Sequence, residues 1–168
     1  MGYVNDTNTT QFLSPFSANC ITGTWTDVAG QVSGTVVRHK AATAETSTIN
    51  IPLIIPSNAS ALKGSLLKSV DFDYEILVAA CTSVTLSIVK VVRGANTVAA
   101  TVTAPAGTQT LVTTTTAATV DQHQDRFSLT TPVWIDNDEF YMLKVVVVAA
   151  ATTQFDIIGA VANFTTRL

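Results

Sequence analysis

The stretch Leu66-Leu67-Lys68-Ser69-Val70-Asp71-Phe72-Asp73-Tyr74-Glu75-Ile76-Leu77-Val78-Ala79 decides the fold. Val70, Phe72, Tyr74 and Ile76 alternate with Ser69, Asp71, Asp73 and Glu75, an apolar row against an acidic one. A period of two puts alternate side chains on opposite faces of a strand, so this segment predicts a half-buried strand of an antiparallel sheet. The acidic row reads as a solvated face, or as a sheet edge guarded against aggregation, before it reads as paired catalytic carboxylates.

Segments on either side carry the same signature between turn signals. Ile21 to Ala29 alternates Ile21, Gly23 and Trp25 with threonines, and Gly30 follows. Val32 to Ala42 and Thr46 to Ile55 are further strand segments, with Pro52 marking an edge or bulge and Pro56 ending the second. Downstream come Ser83 to Arg93, a turn at Gly94-Ala95-Asn96, then Thr97 to Thr103 and Thr108 to Thr116 around a hairpin loop at Ala104-Pro105-Ala106-Gly107. Arg126 to Thr131 and Pro132 to Ile135 lead to a turn at Asp136-Asn137-Asp138. Glu139 to Ala149 and Gln154 to Thr166 close the chain, and Val145-Val146-Val147-Val148 makes the first of these apolar on both faces and central in its sheet. No stretch holds an i, i+3, i+4 apolar period long enough for a helix. The expectation is an all-β fold, an antiparallel, jelly-roll-like β-sandwich of about eight to ten strands. One domain over 21–168 follows, preceded by an irregular arm over 1–20 whose apolar cluster is Phe12, Leu13 and Phe16. That arm is read either as a docking segment or as a frayed terminus.

Composition fits this reading. Of 168 residues, 47% are hydrophobic and only 12% charged, about half the ~25% of an ordinary soluble domain. Threonine, β-branched and hydroxylated, takes over the wetting of the surface. The net charge is −3 and no Lys/Arg cluster exists, which excludes a phosphate-backbone footprint and nucleic acid as partner. A charge-poor surface is also what the centre of a protein interface has. The longest apolar run, Val145 to Ala151, is short of the ~20 residues that span a bilayer, so no membrane partner is expected. The opening residues lack a basic n-region and an apolar h-region, and Asp6 stands where a myristoylation motif wants Ser or Thr; synthesis in the cytoplasm is expected. The sequons at Asn5, Asn8, Asn58 and Asn163 then follow from abundant Asn and Thr. Cys20 and Cys81 form one bridge or stay as two reduced thiols; their spacing matches no zinc site.

Chemistry is sparse. His39 lies between Arg38 and Lys40 with no acid or nucleophile beside it, and reads as a solvated strand end. Asp121, His123 and Asp125 are spaced by two, so an extended backbone points all three the same way. They are the candidate ion or symmetry-axis site, against the alternative of a polar loop before Arg126. Asp136, Asp138 and Glu139 lack the Gly and distal Glu of a calcium loop. No G-x-S-x-G, phosphate-binding loop or dinucleotide fingerprint occurs. Trp25 and Trp134 form a sugar-stacking platform or, more commonly for such a fold, anchor the core. Neither catalysis nor a cofactor is expected.

Three stretches carry a family resemblance: Leu62 to Ile76, Pro132 to Lys144 (Pro-Val-Trp-Ile-Asp-Asn-Asp-Glu-Phe-Tyr-Met-Leu-Lys), and Phe155 to Thr165. Over about residues 60–168 the chain resembles small virion proteins of tailed bacteriophages, in texture and strand order. The resemblance implies a jelly-roll-like capsid cement or decoration subunit, often trimeric, whose partner is the major capsid protein and whose place is the capsid surface of the virion. Such a subunit bridges capsomers, and the arm with Phe12, Leu13 and Phe16 is the expected contact. The alternative is a tail, fibre or receptor-binding sandwich that meets host-surface carbohydrate.

Overall fold

A computed structural model describes residues 6–29, 36–57, 64–92 and 108–167. The strand at 97–103, the turn at 94–96, the hairpin loop at 104–107 and the sequons at Asn5 and Asn58 lie outside the described residues. The decisive stretch forms β6 (Ser65–Leu77), and Val70, Phe72, Tyr74 and Ile76 are all fully buried. The other strands are β1 (Asp6–Leu13), β2 (Asn19–Thr22), β3 (Trp25–Ala29), β4 (Val36–Lys40), β5 (Glu45–Leu53), β7 (Ser83–Val92), β8 (Thr108–Thr116), β9 (Asp121–Trp134), β10 (Glu139–Ala149) and β11 (Gln154–Arg167). The described residues contain no α-helix.

All described pairings are antiparallel, and they make two sheets. The first runs β3-β4-β11-β6-β9, with β1 also on β11; the second runs β2-β5-β10-β7-β8. Their inner faces enclose one core, giving a jelly-roll-like sandwich. Strand β10 sits in the middle of its sheet, as expected, but only its inner row, Tyr141, Leu143, Val145 and Val147, is buried. A stack of rings fills the centre: Tyr74 lies 5.1 Å from Phe72 and 5.2 Å from Phe155, with Trp25 edge-on to Phe155 at 6.4 Å.

Three expectations need correction. The first concerns the arm. Residues 6–13 are not irregular: β1 runs in unbroken register with β11, from Asp6 opposite Arg167 to Leu13 opposite Ala160. Leu13, Pro15 and Ala18 are buried. The polar sequence hid this strand because its ties to the sheet are polar; Lys68 Nζ and Thr165 Oγ1 both donate to Asn8 Oδ1 at 2.8 Å, and Arg167 holds Asp6 through two nitrogens.

The second concerns Ile21 to Ala29, which is two strands in different sheets. Gly23 breaks them with φ at +89°, a conformation that suits a residue without Cβ, and a Cβ there would also lie 2.3 Å from Ser47 Oγ. The third concerns β9, a single strand from Asp121 to Trp134 that absorbs the supposed polar loop; its register on β6 shifts between Ser128 and Val133, and Pro132 falls within that shift. It is an edge strand, where a missing N–H costs no ladder bond. Pro52 sits beyond Asn50, the end of β2's pairing on β5, so one side of β5 is locally open there.

Candidate functional site

Directly paired residues share a face, so the registers place Asp121, His123 and Asp125 beside Ile76, Tyr74 and Phe72. The spacing therefore does bring the three onto one side, but it is the side turned toward the sandwich interior, at its rim. Each polar group is engaged there. Asp125 Oδ2 lies 2.7 Å from the Tyr74 hydroxyl, which also meets the Ala117 carbonyl at 2.7 Å and Thr116 Oγ1 at 3.1 Å. The His123 ring lies 5.1 Å from the Tyr74 ring, with Nε2 2.9 Å from the Thr119 carbonyl. Asp121 Oδ1 accepts from the Gln122 amide. Burial first, and the Asp125 carboxylate second, push the Tyr74 phenol well above its ordinary range. This cluster ties β9 to β6 and to the 116–119 segment. Among the described residues no group of three or more His, Cys, Asp or Glu side chains could hold a metal ion.

The acidic row of β6 lies on the outer face of the first sheet and is more than solvated. Asp71 is buried beneath Arg126, which donates from Nε at 2.5 Å and Nη2 at 2.8 Å, and it also accepts from Asn163 Nδ2 at 3.0 Å. The Arg126 bond, and then that from Asn163, hold the Asp71 carboxyl below its usual range against the opposing effect of burial. His39 is not a solvated end: it faces Asp156 across β4 and β11, Nδ1 to Oδ1 at 2.5 Å. The two tryptophans make no platform. Trp25 packs on Phe155 and donates to the Thr22 carbonyl, while Trp134 lies under the Arg167 guanidinium at 4.6 Å. Of the arm residues, Leu13 belongs to the core, Phe12 is 62% exposed, and Phe16 sits half-exposed in the 3₁₀ turn Pro15–Ser17. Gly159 leaves room for the Phe12 ring, since a Cβ there would lie 2.6 Å from it. Both cysteines are free, Cys20 exposed and Cys81 buried, and burial pushes the Cys81 thiol up to about 11.

The other outer face is the one sequence reasoning passed over. In the second sheet Lys144 is opposite Asn50 and Ser87, Met142 is opposite Pro52 and Val89, and Val146 is opposite Thr48 and Thr85. Of these, Lys144, Asn50, Ser87, Met142, Val89 and Thr48, with Thr110 of β8 and Ile21 of β2, outline a groove of about 460 Å³ across the sheet. Its apolar lining is Ile21, Val89 and Met142; its polar lining is Thr48, Asn50, Ser87 and Thr110, with Lys144 the single charge. Five strands at ~4.8 Å spacing give the face a width of about 19 Å. The only signal available in the sequence was that the outward positions of β5, β7 and β10 hold Thr, Ser and Val where solvated strands carry charge.

The fold and these two faces define an all-β sandwich of the jelly-roll-like class. No protein-family model and no curated protein matches the chain. Solved structures do. An arabinose-bound α-L-arabinofuranosidase of the GH51 class matches at 8% identity and a TM-score of 0.50, over 91% of this chain and 24% of its own. The chain thus spans about a quarter of that enzyme. A CBM4 structure matches at 10% identity and a TM-score of 0.47, over 90% of this chain and 96% of its own. A family 29 carbohydrate-binding module from Piromyces equi matches at 11% and 0.45, over 93% and 90%. At such identities the likeness is one of fold.

Proposed function

We propose that the protein is a non-catalytic structural subunit that works by packing against other protein, as a capsid cement or decoration subunit of a tailed bacteriophage. The observation that carries this reading is the outer face of the β2-β5-β10-β7-β8 sheet. It presents Phe140, Met142, Val146 and Val148 among threonines, with Lys144 its only charge among the described positions. Depletion of charge at the centre of a patch is what distinguishes a protein interface from an ordinary surface. A subunit that bridges neighbouring capsomers stabilises a shell by burying area that exists only in the assembled state. The partner is then the major capsid protein and the place is the capsid surface, with a homotrimer as the expected assembly. The test is the copy number in purified particles, by quantitative mass spectrometry against the shell subunit. Hundreds of copies in fixed ratio are expected, and absence from the particle rejects the reading.

A second reading, a tail or receptor-binding module for host-surface carbohydrate, is favoured by the hydroxyl- and amide-bearing half of the groove, Thr48, Asn50, Ser87 and Thr110. Against it, no aromatic side chain lines that groove. Copies numbering a dozen or so per particle, with retention on a polysaccharide column, would favour it.

A further inference from the structure

We infer that the groove on the second sheet is a receptor for an extended polypeptide segment bearing a carboxylate side chain, with Lys144 as the residue that selects it; this rests on the protein-packing reading above. Three observations point the same way. The first is charge. Arg38, Lys68, Lys90, Arg126 and Arg167 each hold an acidic or amide side chain, and Lys40 is buried with the Ala41 and Thr43 carbonyls and Glu45. Lys144 alone among the described lysines and arginines has no such partner, and it is exposed with no acid in the groove around it. An ammonium ringed by hydroxyls and aliphatic groups attracts an anion, and no neighbouring carboxylate competes.

The second observation is the amide beside it. Asn50 lies directly opposite Lys144, and its Oδ1 is shielded from solvent with no hydrogen-bond partner. Shielded polar atoms are normally paired, so this one marks an incomplete constellation. Rotation of that amide toward a ligand's N–H breaks no bond, because the side chain makes none among the described residues. The third is the character of the rest of the lining. Ile21, Val89 and Met142 suit aliphatic side chains, and methionine adapts to varied partners. Sugar rings gain most from stacking on aromatic faces, which this lining lacks. A segment of about six extended residues spans the five strands at ~3.3 Å each.

The experiment pans a random dodecapeptide library on the immobilised full chain, then measures the enriched peptides, synthesised singly, on wild type and on Lys144→Met. The substitution lies at an exposed position, and an unchanged amide spectrum checks its fold. Enriched peptides are expected to converge on Asp or Glu flanked by aliphatic residues. They should bind Lys144→Met roughly tenfold more weakly, weaken with added salt, and shift the amide resonances of Thr48, Asn50, Ser87 and Met142. Convergence on peptides without an acid, equal binding to Lys144→Met, shifts confined to the other sheet, or no binder at all would overturn the inference. So would an oligogalacturonate that moves those resonances when no peptide does, which would assign the groove to an acidic glycan. Failure here separates from failure of the parent reading. Particles that incorporate Lys144→Glu as fully as wild type sink the groove and keep the decoration role. Acidic peptides bound by a chain absent from particles sink the decoration role and keep the groove.

Discussion

The two outer faces of the sandwich are made by strands of similar length and opposite chemistry. On the first sheet, Asp71 is clasped by Arg126 and Asn163, Asp156 by His39, Asp6 by Arg167, and Asn8 by Lys68 and Thr165. These contacts join neighbouring strands, and Lys68 of β6 reaches past β11 to Asn8 of β1, so charge there serves to hold β1, β4, β11, β6 and β9 together. On the second sheet the outward positions are mostly Thr, Ser, Val and Met, with Phe140 exposed at one end of β10. Its cross-strand side-chain bonds among the described residues are few, Ser87 with Thr113 at 3.1 Å being one, and its one ammonium pairs with nothing. A face whose polar groups satisfy each other is complete. A face that is charge-poor, half-apolar and left with an unpaired lysine and amide has its partners elsewhere. The difference separates stability from function, and substitutions on the two faces should separate them too.

The largest effect is expected where the first sheet closes. Removing residues 1–13 takes away β1, its ladder on β11 and the buried Leu13. Burial of one such leucine is worth about 1.5–3 kcal/mol and the ladder adds to it, so unfolding free energy should fall by at least ~3 kcal/mol in urea melts. An unchanged midpoint would restore the view of this segment as a detached docking arm.

That strand also shows what was legible in the sequence. β6 and β10 could be read because each turns an apolar row into the core, Val70, Phe72, Tyr74 and Ile76 in one and Tyr141, Leu143, Val145 and Val147 in the other; the second apolar row of β10 is only partly covered. β1 could not, since only Leu13 turns an apolar side chain into the core, and the side-chain bonds that hold Asp6 and Asn8 come from residues sixty or more positions away. The row Asp121, His123, Asp125 was correctly placed on one face by its spacing, but spacing does not say which face. Only the register against Tyr74 turns it inward. The groove was illegible for a related reason: Ile21, Asn50, Ser87, Met142 and Lys144 lie on four strands that are joined by pairing and not by sequence. Pro52 was visible as an edge or bulge signal, but Gly23 read as one position of a single strand over Ile21 to Ala29, which hid the turn that sends β2 and β3 to different sheets.

A smaller loss is expected on the polar face itself. Asp71→Ala removes the acceptor of three bonds, two from Arg126 and one from Asn163. The Arg126 side chain is 65% exposed and regains water, which discounts the pair, so the cost should be about 1–2 kcal/mol. Arg126→Ala should cost no more. If Asp71→Ala melts within error of wild type, the first face is merely solvated and the contrast between faces collapses.

The same carboxyls set the acid response. The Asp71 and Asp6 carboxyls are held down chiefly by bonds from Arg126 and Arg167. For Glu45 and Glu139, burial pushes up but bonds from Thr24, Ser47 and Lys40, or from Lys90, Tyr141 and the Asp136 amide, prevail. A carboxyl that titrates lower in the folded chain than in the unfolded one stabilises above the unfolded value, where both states are ionised. That contribution is lost as pH falls through the folded value, because the unfolded state takes up protons first. Stability should therefore be flat from neutral down to about pH 5 and drop below about pH 4, and Asp71→Ala should drop less steeply. Equal slopes for the two proteins would remove Asp71 from the account.

The smallest change in stability is expected on the second face, and it is the most telling. Lys144 has no protein partner to lose, and Val146, opposite Thr48 and Thr85, is only partly covered. Surface substitutions away from packed or paired groups shift stability by no more than about 0.5 kcal/mol, so Lys144→Met and Val146→Lys should melt like wild type. A lysine at 146 nonetheless puts a second cation next to the groove and onto a patch that has to lose its water on docking. Desolvating an unpaired ammonium at an interface costs far more than exposing it on a free surface, so particle incorporation should fail for Val146→Lys while its fold stays intact. If Val146→Lys instead melts early, the valine row is part of the scaffold. If it melts normally and still incorporates, docking lies off this sheet, and the exposed Phe12 beside Gly159 becomes the surface to probe.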